Sequence, residues 1–275
     1  MRINGKTLYI SDLDGTLLRK NEMTSAYTNS AINALIEKGM CFSYATARSY
    51  VTASKVTSGL SGKFPVIVYN GAFILDNETK KVMLSNFFED NEIQEIQEFI
   101  AAYDINPIVY SFIKEQEKFT YNNDRVNQGT RKFLDCRRGD IRNNPVNSNA
   151  ELYAGRMFYF TCIDTAERLH PLYLRLKRKY HCVYQIDIYS REQWLEILPI
   201  KATKANAILQ LKEHLKCERV ISFGDGKNDI SMFNISDECY AVANAVDELK
   251  EIATGIIASN NDDGVAKWLV ENVSA

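Results

Sequence analysis

Leu8-Tyr9-Ile10-Ser11-Asp12-Leu13-Asp14-Gly15-Thr16 is the stretch whose reading decides the fold of this chain. Residues 8–10 are apolar and β-prone, as a buried parallel strand requires. Side chains alternate along a strand, so Asp12 and Asp14 point one way and Leu13 the other. Gly15 lets the chain turn sharply just past the carboxyl end of the strand, and in open α/β sheets that end is where ligands bind. Two carboxylates held close together raise each other's pKa unless a cation or a proton relieves them. A metal site or an acid/base pair supplies the physical motive. An ordinary Asp-Gly surface turn is the plainer alternative, and further segments must decide between them.

The 275 residues exceed the usual size of one domain, so one large domain or two unequal ones is expected. A formal net charge of −2 argues against a nucleic-acid partner held by bulk electrostatics. No apolar run approaches membrane-spanning length, so no membrane partner is expected. Met1-Arg2-Ile3-Asn4-Gly5-Lys6 leads into the first strand without a secretory apolar region. Cys41, Cys136, Cys162, Cys182, Cys217 and Cys239 show no metal or disulfide spacing. The expectation is a reduced, cytoplasmic protein. His170, His181 and His214 form no ligand pattern and read as solvated.

Residues 7–75 alternate strand and helix. Thr24 is a plausible cap for a helix that Gly39 ends, 41–45 read as a second strand, 48–60 as a helix and 66–69 as a third strand. Asn70-Gly71 then turns the chain into hairpins. From about 85 the style changes to a mixed run of helices and strands, with a polar loop over 143–149. From Thr203 the strand–helix alternation returns, with a buried strand over 220–223. The expected organisation is an α/β core of 1–84 and 192–275, a parallel sheet with helices on both faces, with 85–191 inserted as an α+β module.

Three further segments carry chemistry. Gly224-Asp225-Gly226-Lys227-Asn228-Asp229 lies where a strand ends and a helix begins, again at the carboxyl edge of the sheet. Its carboxylates are hard oxygen ligands suited to Mg²⁺, although Asp is also a good helix cap. Thr46-Ala47-Arg48 follows the second strand, where a hydroxyl and free amides at a helix start make an anion site; Thr46 as a simple cap fits equally. Lys204 opens a helix, an unfavourable place for a cation, so an anion nearby would explain it. Lys201 competes for that role.

These segments, with the tail Ser259-Asn260-Asn261-Asp262-Asp263-Gly264-Val265-Ala266, resemble in order and spacing the haloacid dehalogenase (HAD) superfamily, and within it the Cof-type phosphatases. The chain departs from the usual pattern at Ala47, where Gly is common, and at Ala205, where Gly usually follows the lysine. The resemblance implies a Rossmann-like core with an inserted α+β cap that sets substrate specificity. It further implies a Mg²⁺-dependent phosphatase of small phosphorylated metabolites, sugar phosphates or similar. By resemblance Asp12 is the nucleophile, Asp14 the acid and base, and Lys204 a neutralising cation. Metal ligands would be Asp12, the Asp14 carbonyl and Asp225, supported by Asp229; Thr46, Ala47, Arg48 and Asn228 would meet the phosphate. Among the cap aromatics, Tyr153, Phe158, Tyr159, Phe160, Tyr184 and Tyr189 could stack on a sugar, but alternation favours core packing for most. A phosphomutase of the same superfamily, or a binding protein that has kept only the fold, are the alternatives.

Overall fold

The structure, a computed structural model, describes residues 6–187 and 190–273. Residues 1–5 of the N-terminal reading, the far end of the strand expected to reach Ile188, and Tyr189 lie outside the described residues. The chain forms two compact units, Met1–Ser85 with Ala202–Ala275, and Asn86–Lys201.

The first unit begins with β1 (Thr7–Ser11), α1 (Ala26–Glu37), β2 (Cys41–Tyr44), α2 (Tyr50–Val56), β3 (Pro65–Val68), β4 (Phe73–Asp76) and β5 (Val82–Ser85). The second contains α3 (Asp90–Ala102), β6 (Pro107–Ile113), β7 (Gln116–Asn122), α4 (Gln128–Asp135), β8 (Asn143–Val146), α5 (Asn149–Leu152), β9 (Arg156–Asp164), α6 (Ala166–Leu176), β10 (His181–Ile186) and β11 (Gln193–Leu198). The first unit then resumes with α7 (Lys204–His214), β12 (Arg219–Gly224), α8 (Ile230–Phe233), β13 (Glu238–Val242), α9 (Asp247–Ile252), β14 (Gly255–Ile257) and α10 (Gly264–Asn272).

In the first unit the main sheet has the order β14-β13-β12-β1-β2, with every neighbour pair parallel. Leu8 and Ile10 are fully buried, while Tyr9 alternates to the other face and meets Trp268 of α10, together with Phe223 and Tyr240. The early chain runs to one side of β1 and the late chain to the other. The order therefore reverses at β1, and a ligand crevice is expected at the carboxyl ends of β1 and β12.

Local details differ from the sequence reading. Ser25, not Thr24, caps α1, its hydroxyl accepting the Thr28 amide. The helix expected over 48–60 is confined to α2, capped by Ser49. β3 joins the parallel sheet at the Ala45–Ile67 bridge and otherwise pairs in an antiparallel sheet with β4 and β5, because the turn at 70–71 makes pairing local.

The second unit is a six-stranded sheet of order β10-β11-β9-β6-β7-β8, antiparallel except between β7 and β8. One core joins Ile96 and Ile100 of α3, Leu169 and Leu172 of α6, and Val109, Phe160 and Leu195 of the sheet. Phe158, Tyr159 and Phe160 are all buried, the packing use expected of most aromatics here. The expected polar loop at 143–149 is β8 followed by α5; its Asn-Asn-Pro-Val sequence shows no apolar alternation, and Pro145 is tolerated because β8 is an edge strand. Gln193–Leu198, expected in the core, pairs on both sides with β9 and β10, so the return crossing falls at Ala202 rather than 192. His181, expected to be solvated, is half-buried in β10, and burial pushes its pKa down to about 4. Among the described residues no helix is long and apolar enough to cross a membrane.

Candidate active site

The ends of β1 and β12 are tied together by the Asp12 amide, which donates to the Phe223 carbonyl at 2.9 Å. This brings the first aspartate motif beside Gly224 and Asp225. Asp12, Lys204 and Asp229 are 4%, 1% and 0% exposed, so the charges here interact in a largely dry environment.

Lys204 is the first residue of α7, whose cap is Thr203, its hydroxyl accepting the Asn206 amide at 3.0 Å. The lysine Nζ donates to Asp12 Oδ1 at 2.6 Å and to Asp229 Oδ1 at 2.7 Å. The anion that the sequence demanded near this helix start is thus supplied by the protein's own carboxylates. Burial pulls the Lys204 pKa down, but Asp12 and Asp229 more than offset it, and the net shift is upward. Gly71, whose φ is +99°, brings the Asn70–Gly71 turn onto the loop before Lys204; a Cβ there would sit 2.2 Å from the Thr203 carbonyl oxygen. That turn seats the lysine, a role the sequence reading missed by treating it as hairpin punctuation.

Asp229 uses both oxygens within the protein. Its Oδ2 accepts the amides of Asp225 at 3.0 Å and Gly226 at 3.1 Å, so it shapes the loop that presents Asp225. Asp225 in turn accepts the Thr16 hydroxyl at 3.1 Å. Burial, then the Asp229 charge, pushes the Asp225 carboxyl up to about 7. Burial also raises Asp12 well above the usual carboxylate range; Lys204 opposes the shift, while Asp229, Asp225 and Asp14 add to it. One ligand oxygen from each of Asp12, Asp225 and Asp229 lies within 4.8 Å of the others.

Gly15 makes that approach possible. Its φ is +79°, and a Cβ on it would lie 2.2 Å from Asp225 Oδ2. Gly15→Ala should therefore displace Asp225 and lower kcat by about a hundredfold, the cost of moving a reacting group by roughly an ångström. Steady-state kinetics check this, and a variant within twofold of the native rate would show that the close approach is not required.

The other predicted residues are placed differently. Thr46 is fully buried and accepts the Arg48 amide at 3.0 Å in a bend ahead of α2, so it caps no helix. Ala47 is half-buried in that bend. Arg48 grips the Asp14 carboxylate, with Nη2 to Oδ1 at 2.6 Å and Nε to Oδ2 at 2.8 Å. Asn228 is half-buried beside Gly226. Among the described residues no hydrogen bond joins Thr46 or Asn228 to the carboxylate cluster.

The tail motif, quoted from sequence as a marker without a role, braces the turn after β1. Asn244 Nδ2 donates to the Gly15 carbonyl at 2.8 Å and its Oδ1 accepts the Asn260 amide at 3.0 Å, while Asn260 Nδ2 reaches the Leu18 carbonyl at 2.8 Å. Asp263, in left-handed conformation, accepts from Arg19 and Thr28.

Comparison with known proteins agrees with this architecture. The sequence pattern of the haloacid dehalogenase-like hydrolase family matches residues 9–269. The chain is 27% identical over 291 residues to the 5-amino-6-(5-phospho-D-ribitylamino)uracil phosphatase YwtE of Bacillus subtilis, with 96% of each chain covered. It is 23% identical over 274 residues to a second 5-amino-6-(5-phospho-D-ribitylamino)uracil phosphatase of that organism, YitU, again with 96% of each covered. Among solved structures, TM0651 from Thermotoga maritima superposes with a TM-score of 0.78 at 25% identity, covering 98% of this chain and 97% of that one. The match runs through both units and through every motif at the ends of β1 and β12, and on that ground the chain belongs to the haloacid dehalogenase-like hydrolases and is a phosphatase of that family.

Proposed function

We propose that the chain is a Mg²⁺-dependent phosphatase that transfers the phosphoryl group of a small sugar-type phosphate ester to Asp12 and then to water. The observation that carries the reading is the buried charge balance. Lys204 bridges Asp12 and Asp229 while Asp225 stands beside them, so one cation faces three carboxylates. A divalent cation fits the remaining charge, and the donors are all hard oxygens, the set Mg²⁺ prefers. Asp12, Asp225 and the Asp14 carbonyl would hold the ion, with Asp229 orienting the loop from behind because both of its oxygens are engaged. When bound, Mg²⁺ would neutralise phosphoryl charge that otherwise repels an attacking carboxylate.

The chain's own groups supply the remaining steps. An Asp12 oxygen attacks phosphorus, the bond to the ester oxygen breaks, and Asp14 delivers a proton to the departing alcohol. Asp14 then takes a proton from water as that water attacks phosphorus, releasing inorganic phosphate and restoring the Asp12 carboxylate. Lys204 stays protonated throughout and holds Asp12 in place. The substrate class follows the two Bacillus subtilis relatives, which are named for a phosphorylated ribityl compound.

The test is phosphate release over a panel of sugar and polyol phosphates that includes 5-amino-6-(5-phospho-D-ribitylamino)uracil, with and without Mg²⁺. Chelation should abolish release. Mg²⁺ at about 100 times its Kd should stabilise the fold by about 2.7 kcal/mol, read as a rise in unfolding temperature. Full activity in chelator, or an unfolding temperature indifferent to Mg²⁺, would count against the metal assignment.

A further inference from the structure

Arg48 is shared between two acids of the first unit. Its Nη2 donates to Asp14 Oδ1 at 2.6 Å and also to Glu22 Oε2 at 2.8 Å, while Nε completes the grip on Asp14. Side-chain exposures of 17% for Arg48, 23% for Asp14 and 44% for Glu22 place the fork largely out of solvent, with Glu22 at its outer edge.

Both ends of this bridge are held by backbone. Glu22 adopts a φ of +59°, left-handed for a residue with a side chain. Such strain persists where the surroundings over-determine it and concentrates at functional segments. The surroundings here are explicit. The Glu22 amide donates to the Arg19 carbonyl at 2.9 Å and the Arg19 amide to the Met23 carbonyl at 3.1 Å. Arg19 is fastened to Asp263, and the Lys20 amide donates to Asn261 Oδ1 at 3.0 Å. At the other end the Arg48 amide is fixed by Thr46, and its carbonyl accepts the Tyr69 amide at 3.0 Å. With both backbones held, the Glu22 contact restrains the Arg48 guanidinium, and a planar fork passes its orientation on to the carboxylate it grips.

We infer that Glu22 is a positioning residue for leaving-group protonation: it aligns the Arg48 fork, which in turn aims Asp14. The inference rests on the assignment of Asp14 as the acid. Glu22 itself exchanges no proton. As the phosphorus–oxygen bond breaks, its electron pair passes to the ester oxygen, and the Asp14 proton lands there. Misaiming Asp14 therefore slows the departure of a basic alkoxide and hardly touches p-nitrophenolate, which leaves without a proton. The ratio kcat/KM isolates this effect, because it covers only the steps up to alcohol release.

The experiment compares native protein, Glu22→Gln and Asp14→Asn at saturating Mg²⁺, each with glycerol phosphate and with p-nitrophenyl phosphate. Unfolding temperatures are recorded alongside. Glu22→Gln should lower kcat/KM for the alkyl ester about tenfold and for the aryl ester less than about twofold, a partial loss of a general-acid contribution. Asp14→Asn should show the same selectivity with a larger loss. If Asp14→Asn is selective and Glu22→Gln affects both esters equally or neither, the positioning role is overturned while the acid assignment stands. If Asp14→Asn is itself unselective, the acid assignment falls, and the role of Glu22 with it.

Discussion

Asp12→Asn should reduce kcat by about 100,000-fold or more while leaving the protein folded, the scale seen when an enzyme loses a covalent nucleophile. An amide oxygen cannot attack phosphorus as a carboxylate does, yet it matches the carboxylate in shape and can still accept the Lys204 bond that Asp12 Oδ1 accepts at 2.6 Å. Lys204 also keeps its second partner, Asp229. Burial already disfavours the charged form of Asp12, and the neighbouring carboxylates add to that, so removing its charge relieves repulsion. Without divalent cation the unfolding temperature of the variant should equal or exceed that of the native protein. Mg²⁺ should raise it less than in the native protein, because one ligand charge is gone. Acid quench during turnover should trap phosphate on the native chain and none on the variant. Turnover near the native rate in Asp12→Asn would sink the covalent route.

The parts of this site that are legible in sequence are those written into single local patterns. A buried strand ending in Asp-x-Asp-Gly places two carboxylates and a turn within a few residues, and β1 has that form. Asp225 and Asp229 were readable for the same reason, and Thr203 announced the start of α7. What stayed illegible depends on pairings between distant segments. Nothing local to Gly71 reports that Thr203 will pack against it, and nothing local to Glu22 reports Arg48. A hydroxyl and free amides at a helix start suit an anion, and the family resemblance puts Arg48 beside them. In the fold the anion it meets is Asp14, and the helix begins two residues later. The return from the second unit falls later than the sequence suggests for a related reason. Gln193–Leu198 has the composition of a strand in either unit, and only its ladders with β9 and β10 assign it.

Lys204→Met should be the most damaging change to stability in the first unit's polar interior. The lysine side chain is 1% exposed and carries the only ion pairs of Asp12 and Asp229 among the described residues. Methionine fills nearly the same space but leaves two buried carboxylates facing each other. Removing one partner of a buried ionic cluster costs about 3–5 kcal/mol, which lowers the unfolding temperature by about 10 °C in a chain of this size. The loss should depend on pH with a definite sign. Lys204 holds the Asp12 carboxyl down against burial, so its removal raises that pKa further. An acid whose pKa is raised by folding binds more protons in the native state, and stability then falls as pH rises from the ordinary carboxylate range through the raised value. The variant should therefore lie nearest to the native protein in acid and fall further behind toward neutral pH and above. Mg²⁺ should recover part of the stability by supplying positive charge, but not the rate, since the cation that steadies Asp12 is still missing. Turnover should drop by a similar factor for every substrate in the panel, because the phosphoryl group is common to all of them. An unfolding temperature unchanged across that pH range, or a loss of activity confined to some substrates, would remove Lys204 from the centre of the charge network.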